Sequence, residues 1–511
     1  MSAGKSESRK KQHMENIEKY IVSLDLGSSK IALTVATLNG KDLQVIYHKD
    51  APSHGIKYSS VGNIRHVSDI IKSLIKNAED ELGLSINQVV VGMPRYPIRL
   101  VSNEAEIKGR GEDSEITEED IKGLKKIVQD YKLENEEKEI VYGCVTQSYS
   151  DGENFGCLED EIIGMMSDTV KGHFKIFIGK RKELKTIDSA LTKAGIASRM
   201  KYFTAETTAK AVLTPSEMEN GVALIDFGGG CASVTVYYGN IMRHYASIPF
   251  GGKNITDDIK TELQLNERLA ENIKLGFGAC MPGRLQSMSE KKLHIHSKTG
   301  EAKTEVPIKY LAEIINARIE EIIYALLYEI ENSGTSDYIR SGIVVTGGVA
   351  QTANIATLIS EMSGCVTRIG YPSRNISCQG LELLRDTGCV TSLGLIMAAA
   401  EEESINCAVF NDSPKIEIVI EENEPADTHE EEGISEEEGI SEEAGTSEEA
   451  GISEGKEEDE AEVKEETAGG GEEVKEEKKE EAKEEEKKPE EKESLFDKFR
   501  EWADRITKEN V

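Results

Sequence analysis

GVALIDFGGGCASVTVY, residues Gly221–Tyr237, reads as an apolar strand, an aspartate near its end, three consecutive glycines and a second β-rich run. Three glycines inside a β pattern weaken a strand, because each forfeits side-chain packing and has more backbone freedom to lose. Something must therefore approach the backbone closely there. About 200 residues earlier, IVSLDLGSSKIALTV (Ile21–Val35) repeats the arrangement, with Asp25 followed by Leu26, Gly27, Ser28, Ser29 and Lys30. Such a turn exposes backbone N–H groups that can hold a phosphate, and the aspartate beside it can hold Mg²⁺ directly or through water. Two of them suggest facing half-sites that clamp one nucleotide. Taken singly, the first is also readable as a tight hairpin turn and the second as a glycine-rich bulge.

Outward from these turns, the chain is long enough for two or more domains at 511 residues. Its formal charge of −34 is concentrated: Glu421 to Glu493 holds about 34 Asp/Glu against about 9 Lys/Arg. An acidic chain without a basic stripe argues against nucleic acid as a partner. The eight cysteines are scattered with no C-x-x-C pair, which indicates neither a disulfide framework nor a zinc site and fits a reducing cytoplasm. Periodicity predicts a hairpin over 21–35 followed by a strand at 42–48, a helix over 66–82 and a strand over 88–91 before the turn MPRYP (Met93–Pro97). Further helices are expected over 117–131, 182–194, 205–213, 255–263, 269–275, 308–332, 354–362 and 391–401. Thr117 with Asp120 is a capping-box relative at the start of one of them.

Beyond about Lys415 the composition changes. Four near-copies of a six-residue unit begin at Gly433, Gly439, Gly445 and Gly451, and Glu/Lys-rich sequence runs on to Glu493. Dense like charge with little hydrophobicity cannot offset ordering entropy, so this is expected to be an extended linker. A single charged helix is the competing reading for 472–493. At the far end, Leu495, Phe496, Phe499, Trp502, Ala503 and Ile506 fall on one apolar stripe. Charges of both signs cover the other face, so adhesion to a membrane would rest on the stripe. Docking on the core or on another protein is the alternative.

A third element, Thr346-Gly347-Gly348-Val349-Ala350, ends a strand and opens a helix. In order, spacing and context the three resemble the actin-like ATPase superfamily: phosphate-1 at 21–35, phosphate-2 at 221–237 and the adenosine motif at 342–350. The resemblance implies an α/β, actin-like ATPase fold of two RNase H-like halves with mixed sheets flanked by helices, and ATP with Mg²⁺ as cofactors. Backbone groups at Gly27, Ser28, Ser29, Gly228, Gly229 and Gly230 would hold phosphate, with Lys30 adding charge. Asp25 and Asp226 would hold the metal, and Gly347, Gly348 and Val349 the adenosine. Glu271 and Lys274 match the superfamily pair that contacts ribose and adenine, although three apart on a helix they also read as a surface ion pair. TAETTA (Thr204–Ala209) looks like the segment whose Glu or Gln orients water or metal near the γ-phosphate. Glu206 thereby joins Asp25 and Asp226 as a catalytic candidate, with Thr207 standing where proline is usual.

Within the superfamily, residues 221–259, NIKLGFG (Asn272–Gly278), AEIINARIEEI (Ala312–Ile322) and GIVVTGGVAQTANIATLISEMSG (Gly342–Gly364) are similar to the FtsA family of bacterial cell division proteins. This implies a first subdomain at 20–85 and 172–217, returning at 386–414, with an inserted subdomain at 86–171. A second subdomain would occupy 218–260 and 336–385, with a small one at 261–335. A tail at 1–19, the acidic linker at 415–493 and a membrane-targeting helix at 494–511, carrying Leu495, Phe496, Phe499, Trp502 and Ile506, complete the division. The partners implied are the C-terminal tail of the tubulin-like protein FtsZ, with Arg318 as a contact, further copies of the chain in filaments, membrane lipid and other divisome proteins. The place implied is the cytoplasmic face of the inner membrane at the division site. Cys231 replaces the usual hydroxyl residue of phosphate-2 and Ser233 a position often acidic, which argues for binding with slow hydrolysis. A pilus-assembly or shape-determining actin homologue, or an ATP-dependent kinase or chaperone, are the rival readings.

Overall fold

The computed structural model describes residues 19–109, 114–285, 290–295, 304–372, 376–378 and 382–410. The N-terminal tail, the acidic repeats and the terminal apolar stripe from Leu495 to Ile506 lie outside the described residues.

Two mixed sheets share one strand order. In the first, β1 (Lys19–Leu26), β2 (Lys30–Asn39) and β3 (Asp42–Pro52) form an antiparallel meander. On the other side of β1, β7 (Gln88–Gly92) and β12 (Ala197–Tyr202) continue in parallel, and β20 (Ser377–Cys378) extends the outer edge of β3. In the second sheet, β13 (Val222–Phe227), β14 (Ala232–Tyr238) and β15 (Ile241–Ile248) form the meander. Here β18 (Ile343–Thr346) and β19 (Thr367–Ile369) continue in parallel beyond β13. Each sheet therefore runs third-second-first-fourth-fifth, and the first hairpin of each carries one glycine turn. The central strands read as near-continuous apolar runs because both their faces are covered. All six residues of β13 are buried, as are Ile31 to Leu38 of β2.

The helices Ile64–Leu82 and Arg181–Ala194 pack over the first sheet, through Val67, Ile71, Leu74, Ile187 and Leu191. The helix Val390–Ala399 lies on the face of β1 that carries Ser23, whose hydroxyl donates to the Ser392 carbonyl at 3.0 Å. Residues two apart on a strand share a face, so Asp25 points to this side too. Against it crosses the helix Thr204–Val212, and the crossing is close because Gly394 has no side chain. A Cβ there would stand 2.8 Å from the carbonyl carbon of Thr207.

The helix Ile308–Asn332 forms with the bounds its periodicity predicts. Leu311, Ile315, Ile319, Ile322, Leu326 and Ile330 are buried along one face, beside the helices Gly252–Leu263 and Glu267–Phe277. Thr117 and Asp120 form a reciprocal capping box at the start of the helix Glu118–Gln129. That helix covers a separate antiparallel sheet of β8 (Arg99–Ile107), β9 (Glu139–Ser150), β10 (Phe155–Cys157) and β11 (Val170–Lys180), in the order β10-β9-β11-β8. This sheet is bound to the edge of the second mixed sheet. The Gln147 amide donates to the Met242 carbonyl at 3.0 Å, the Arg243 guanidinium to the Gln147 carbonyl at 2.9 Å, and the Lys175 ammonium to the Arg243 carbonyl.

Minor pairs complete the fold: β4 (Ile56–Lys57) with β5 (Ser60–Val61), β6 (Leu84–Ile86) with β21 (Ala408–Phe410), and β16 (Lys292–Ile295) with β17 (Thr304–Pro307).

Candidate functional site

The two glycine turns meet. Gly27 to Ser29 close the β1–β2 hairpin and Gly228 to Cys231 the β13–β14 hairpin. A Cβ on Gly229 would stand 2.9 Å from the Ser29 Cβ, and one on Gly230 2.6 Å from the Ser28 Cβ. The glycines are thus required by proximity to a turn about 200 residues away. Gly251 fits the same seam, since a Cβ there would lie 2.5 Å from the Gly228 carbonyl oxygen.

Beside the turns opens a cavity of about 580 Å³, lined from both sheets. Of the residues expected to form the site, Asp25, Gly27, Ser28, Ser29, Lys30, Asp226, Gly228, Gly229, Gly230, Glu271, Lys274, Gly347, Gly348 and Val349 all line it. Asp226 and Thr346 are register partners in the parallel pair β13–β18. Gly347, at φ +90°, follows directly, and a Cβ on it would lie 2.8 Å from the Asp226 carboxylate.

Several of these side chains have protein partners. The Lys30 ammonium lies 2.9 Å from Asp50 and 3.9 Å from Asp386. Burial alone would lower its pKa, but Cys389, Asp50 and Asp386 outweigh that and hold the charge. Lys274 donates to the Gly252 carbonyl at 3.0 Å, the Thr256 hydroxyl at 2.8 Å and Glu271 at 2.7 Å. Burial pulls its pKa down against the opposing Glu271. The Glu271–Lys274 pair is therefore partly buried in the cavity wall, and it anchors the first turn of the helix Gly252–Leu263.

Glu206 is placed otherwise. It does not line the cavity and is exposed. On its helix the cavity side is occupied by Thr204 and by Thr208, whose hydroxyl lies 3.5 Å from an Asp226 carboxylate oxygen. Residues four apart share a helix face, whereas Glu206, two from each, points away. Arg318 lies away from the cavity, in the helix Ile308–Asn332. It holds Asp258 through Nε at 2.6 Å and Nη2 at 2.9 Å, and Glu321 through Nη1 at 2.7 Å.

Arg95, in the turn MPRYP, is the side chain that the sequence reading missed. Its Nη1 stands 2.7 Å from Asp226 Oδ2, and Nη2 donates to the Thr391 hydroxyl. Burial would lower its pKa, but Asp226 and Asp25 more than reverse this, so it stays a cation. Burial in turn lifts the Asp25 carboxyl above its ordinary range, Arg95 lowers it and Asp226 raises it again. Cys231 is 4% exposed, and burial pushes its thiol up to about 11. It is a neutral small side chain here, not a nucleophile.

Two turns with backbone N–H groups, a guanidinium and two neighbouring carboxylates fit a phosphate-bearing ligand with a divalent cation. Among the described residues no group of three or more His, Cys, Asp or Glu could form a metal cage.

The paired sheets of one strand order, with a shared cleft at their first hairpins, define an actin-like ATPase fold. Among solved structures the PilM–PilN type IV pilus biogenesis complex aligns with a TM-score of 0.52 at 13% identity, covering 75% of this chain and 99% of that one, a likeness of fold. The family model described as cell division protein FtsA matches residues 223–394. Cell division protein FtsA of Neisseria meningitidis serogroup B is 28% identical over 395 residues, 76% of this chain and 92% of that protein. That of Bacillus subtilis is 27% identical over 393 residues, 77% and 86%. No helix among the described residues is long and apolar enough to cross a membrane.

Proposed function

We propose that this chain is an ATP-binding, filament-forming adaptor that holds the division protein FtsZ at the cytoplasmic face of the cell membrane, at the division site. The observation that carries the reading is the contact of the Gly229 and Ser29 turns beside one cavity, in a chain whose residues 223–394 match the FtsA family model. Backbone N–H groups of Gly27 to Ser29 and Gly228 to Gly230 hold the phosphates from opposite sides. Asp25 and Asp226 hold Mg²⁺, which supplies charge neutralisation between the phosphates and the carboxylates. Glu271, Lys274 and Gly347 to Val349 take the nucleoside. Hydrolysis is slow, because Cys231 offers only a weak donor where a hydroxyl would serve, and Glu206 is turned away from the cavity.

A ligand gripped by both turns joins the two sheets, and the joined form favours head-to-tail association of copies. The acidic segment lets the apolar stripe at Leu495, Phe496, Phe499, Trp502 and Ile506 reach lipid. One such helix binds weakly, while many along a filament bind together. The region 261–335 receives the FtsZ tail, where Arg318 would exchange Asp258 for an acidic group of the peptide.

Two measurements test this. Calorimetry on the full chain should show ATP uptake that strengthens with Mg²⁺; no uptake of ATP or ADP ends the nucleotide reading. Co-sedimentation with liposomes should be lost on removing residues 494–511, and lipid binding that survives the truncation removes the tail from the mechanism.

A further inference from the structure

Arg95 is held by more of the molecule than any single element explains. Its backbone N–H donates to the Ser59 hydroxyl at 3.2 Å, and its carbonyl accepts from the Tyr245 hydroxyl of β15 at 2.8 Å. Its guanidinium bridges Asp226 of β13 and Thr391 of the helix Val390–Ala399. The turn between β4 and β5, the second mixed sheet and the helix Val390–Ala399 thus each fix one part of the residue.

The side chain is 14% exposed and lines the cavity. Guanidinium carries five N–H donors in a rigid fork. One goes to Asp226 and one to Thr391, which leaves three with no acceptor among the described residues. A Cβ on Gly228 would lie 3.6 Å from Nη1, which places the fork against the second glycine turn. It stands at the carboxylate end of the site, coupled to Asp25 and Asp226.

A cation in this position could serve only to neutralise Asp226. Neutralisation alone, however, needs no planar fork with open donors facing a ligand cavity. We propose that Arg95 contacts the terminal phosphate of the bound nucleotide, so that the site distinguishes a nucleoside triphosphate from a diphosphate by charge-assisted hydrogen bonds from this residue. The inference rests on the nucleotide reading above and adds to it the residue that reads the number of phosphates. Asp226 holds the fork in the orientation it uses, and Thr391 prevents it from swinging into the helix junction.

The test is equilibrium binding of ATP and of ADP, with Mg²⁺, to the full chain and to Arg95→Ala and Arg95→Lys, each first checked for native circular dichroism. ATP affinity should fall about tenfold or more in Arg95→Ala, since charge-assisted bonds are the strong ones, while ADP affinity changes less than about threefold. Arg95→Lys, which keeps the charge without the fork, should lose less for ATP and leave ADP unchanged. Equal losses for the two nucleotides, or none, overturn the assignment and leave Arg95 as a counter-ion of Asp226. Wild-type protein that binds neither nucleotide overturns the nucleotide reading itself, a separate and distinguishable result.

Discussion

Gly229 and Ser29 belong to different sheets, yet a Cβ on the glycine would stand 2.9 Å from the Cβ of the serine. Gly229→Ala therefore forces the two turns apart at an expected cost of about 1–3 kcal/mol. Removing the opposing side chain should return much of it, so Ser29→Gly combined with Gly229→Ala is expected to be more stable than Gly229→Ala alone. A thermal unfolding cycle over the four proteins measures the coupling. Strict additivity would mean that the turns do not touch in solution.

Gly394 faces backbone, not a side chain that can rotate away. Alanine would raise intrinsic helix propensity by about 1 kcal/mol, but its Cβ would sit 2.8 Å from the Thr207 carbonyl carbon. The clash should win, giving a net loss in urea unfolding for Gly394→Ala and a larger one for Gly394→Val. A stabilised Gly394→Ala would refute the close crossing.

Asp25 and Asp226 should respond oppositely to neutralisation. Asp226→Asn leaves the buried Arg95 guanidinium without its carboxylate, and breaking such a pair costs about 3–5 kcal/mol. Asp25 is instead a carboxylate disfavoured first by burial, so Asp25→Asn should leave the ligand-free protein as stable as wild type or more so. Denaturant unfolding at neutral pH without nucleotide checks both. Mg²⁺ and ATP should then raise the midpoint of wild type and not of Asp25→Asn.

Glu217 supplies a pH-dependent contribution away from the cavity. Burial would raise its pKa, but bonds from Arg368 at 2.7 Å through both Nε and Nη2, and from the Thr214 N–H at 2.8 Å, hold it below the ordinary carboxylate value. A depressed folded pKa means stability that is present above the unfolded value and lost as pH falls through the folded one. Glu217→Gln should cost about 1 kcal/mol near pH 7, reduced by solvent at the half-exposed Arg368. The difference from wild type should begin to narrow as pH falls past about 4.3 and close only below the depressed folded pKa. A gap that persists there would place the effect in the Thr214 cap and not in the charge.

What the sequence made legible was local. Both aspartate-glycine hairpins, the Thr117–Asp120 cap and the helix Ile308–Asn332 follow from turn residues and periodicity. The strand Ala197–Tyr202 was not legible: it alternates only weakly, with Met200 and Tyr202 against Arg199 and Lys201, over too few apolar residues to stand out. Arg95 was invisible because its partners Asp226, Thr391 and Tyr245 are more than a hundred residues away. Glu206 is a different case, since Thr204 and Thr208 define a helix face that excludes it. The spacing was on the page, but only the position of Asp226 said which face mattered.

The sheet of β8 to β11 leaves the chain at the Arg95 turn and rejoins the first mixed sheet's helices at Arg181, yet its hydrogen bonds run to Met242 and Arg243 on the second. It is a strap, buckled to one plate and riveted to the other. Three polar contacts, from Gln147 to Met242, from Arg243 to Gln147 and from Lys175 to Arg243, thus tie a segment whose ends belong to one sheet to the edge of the other.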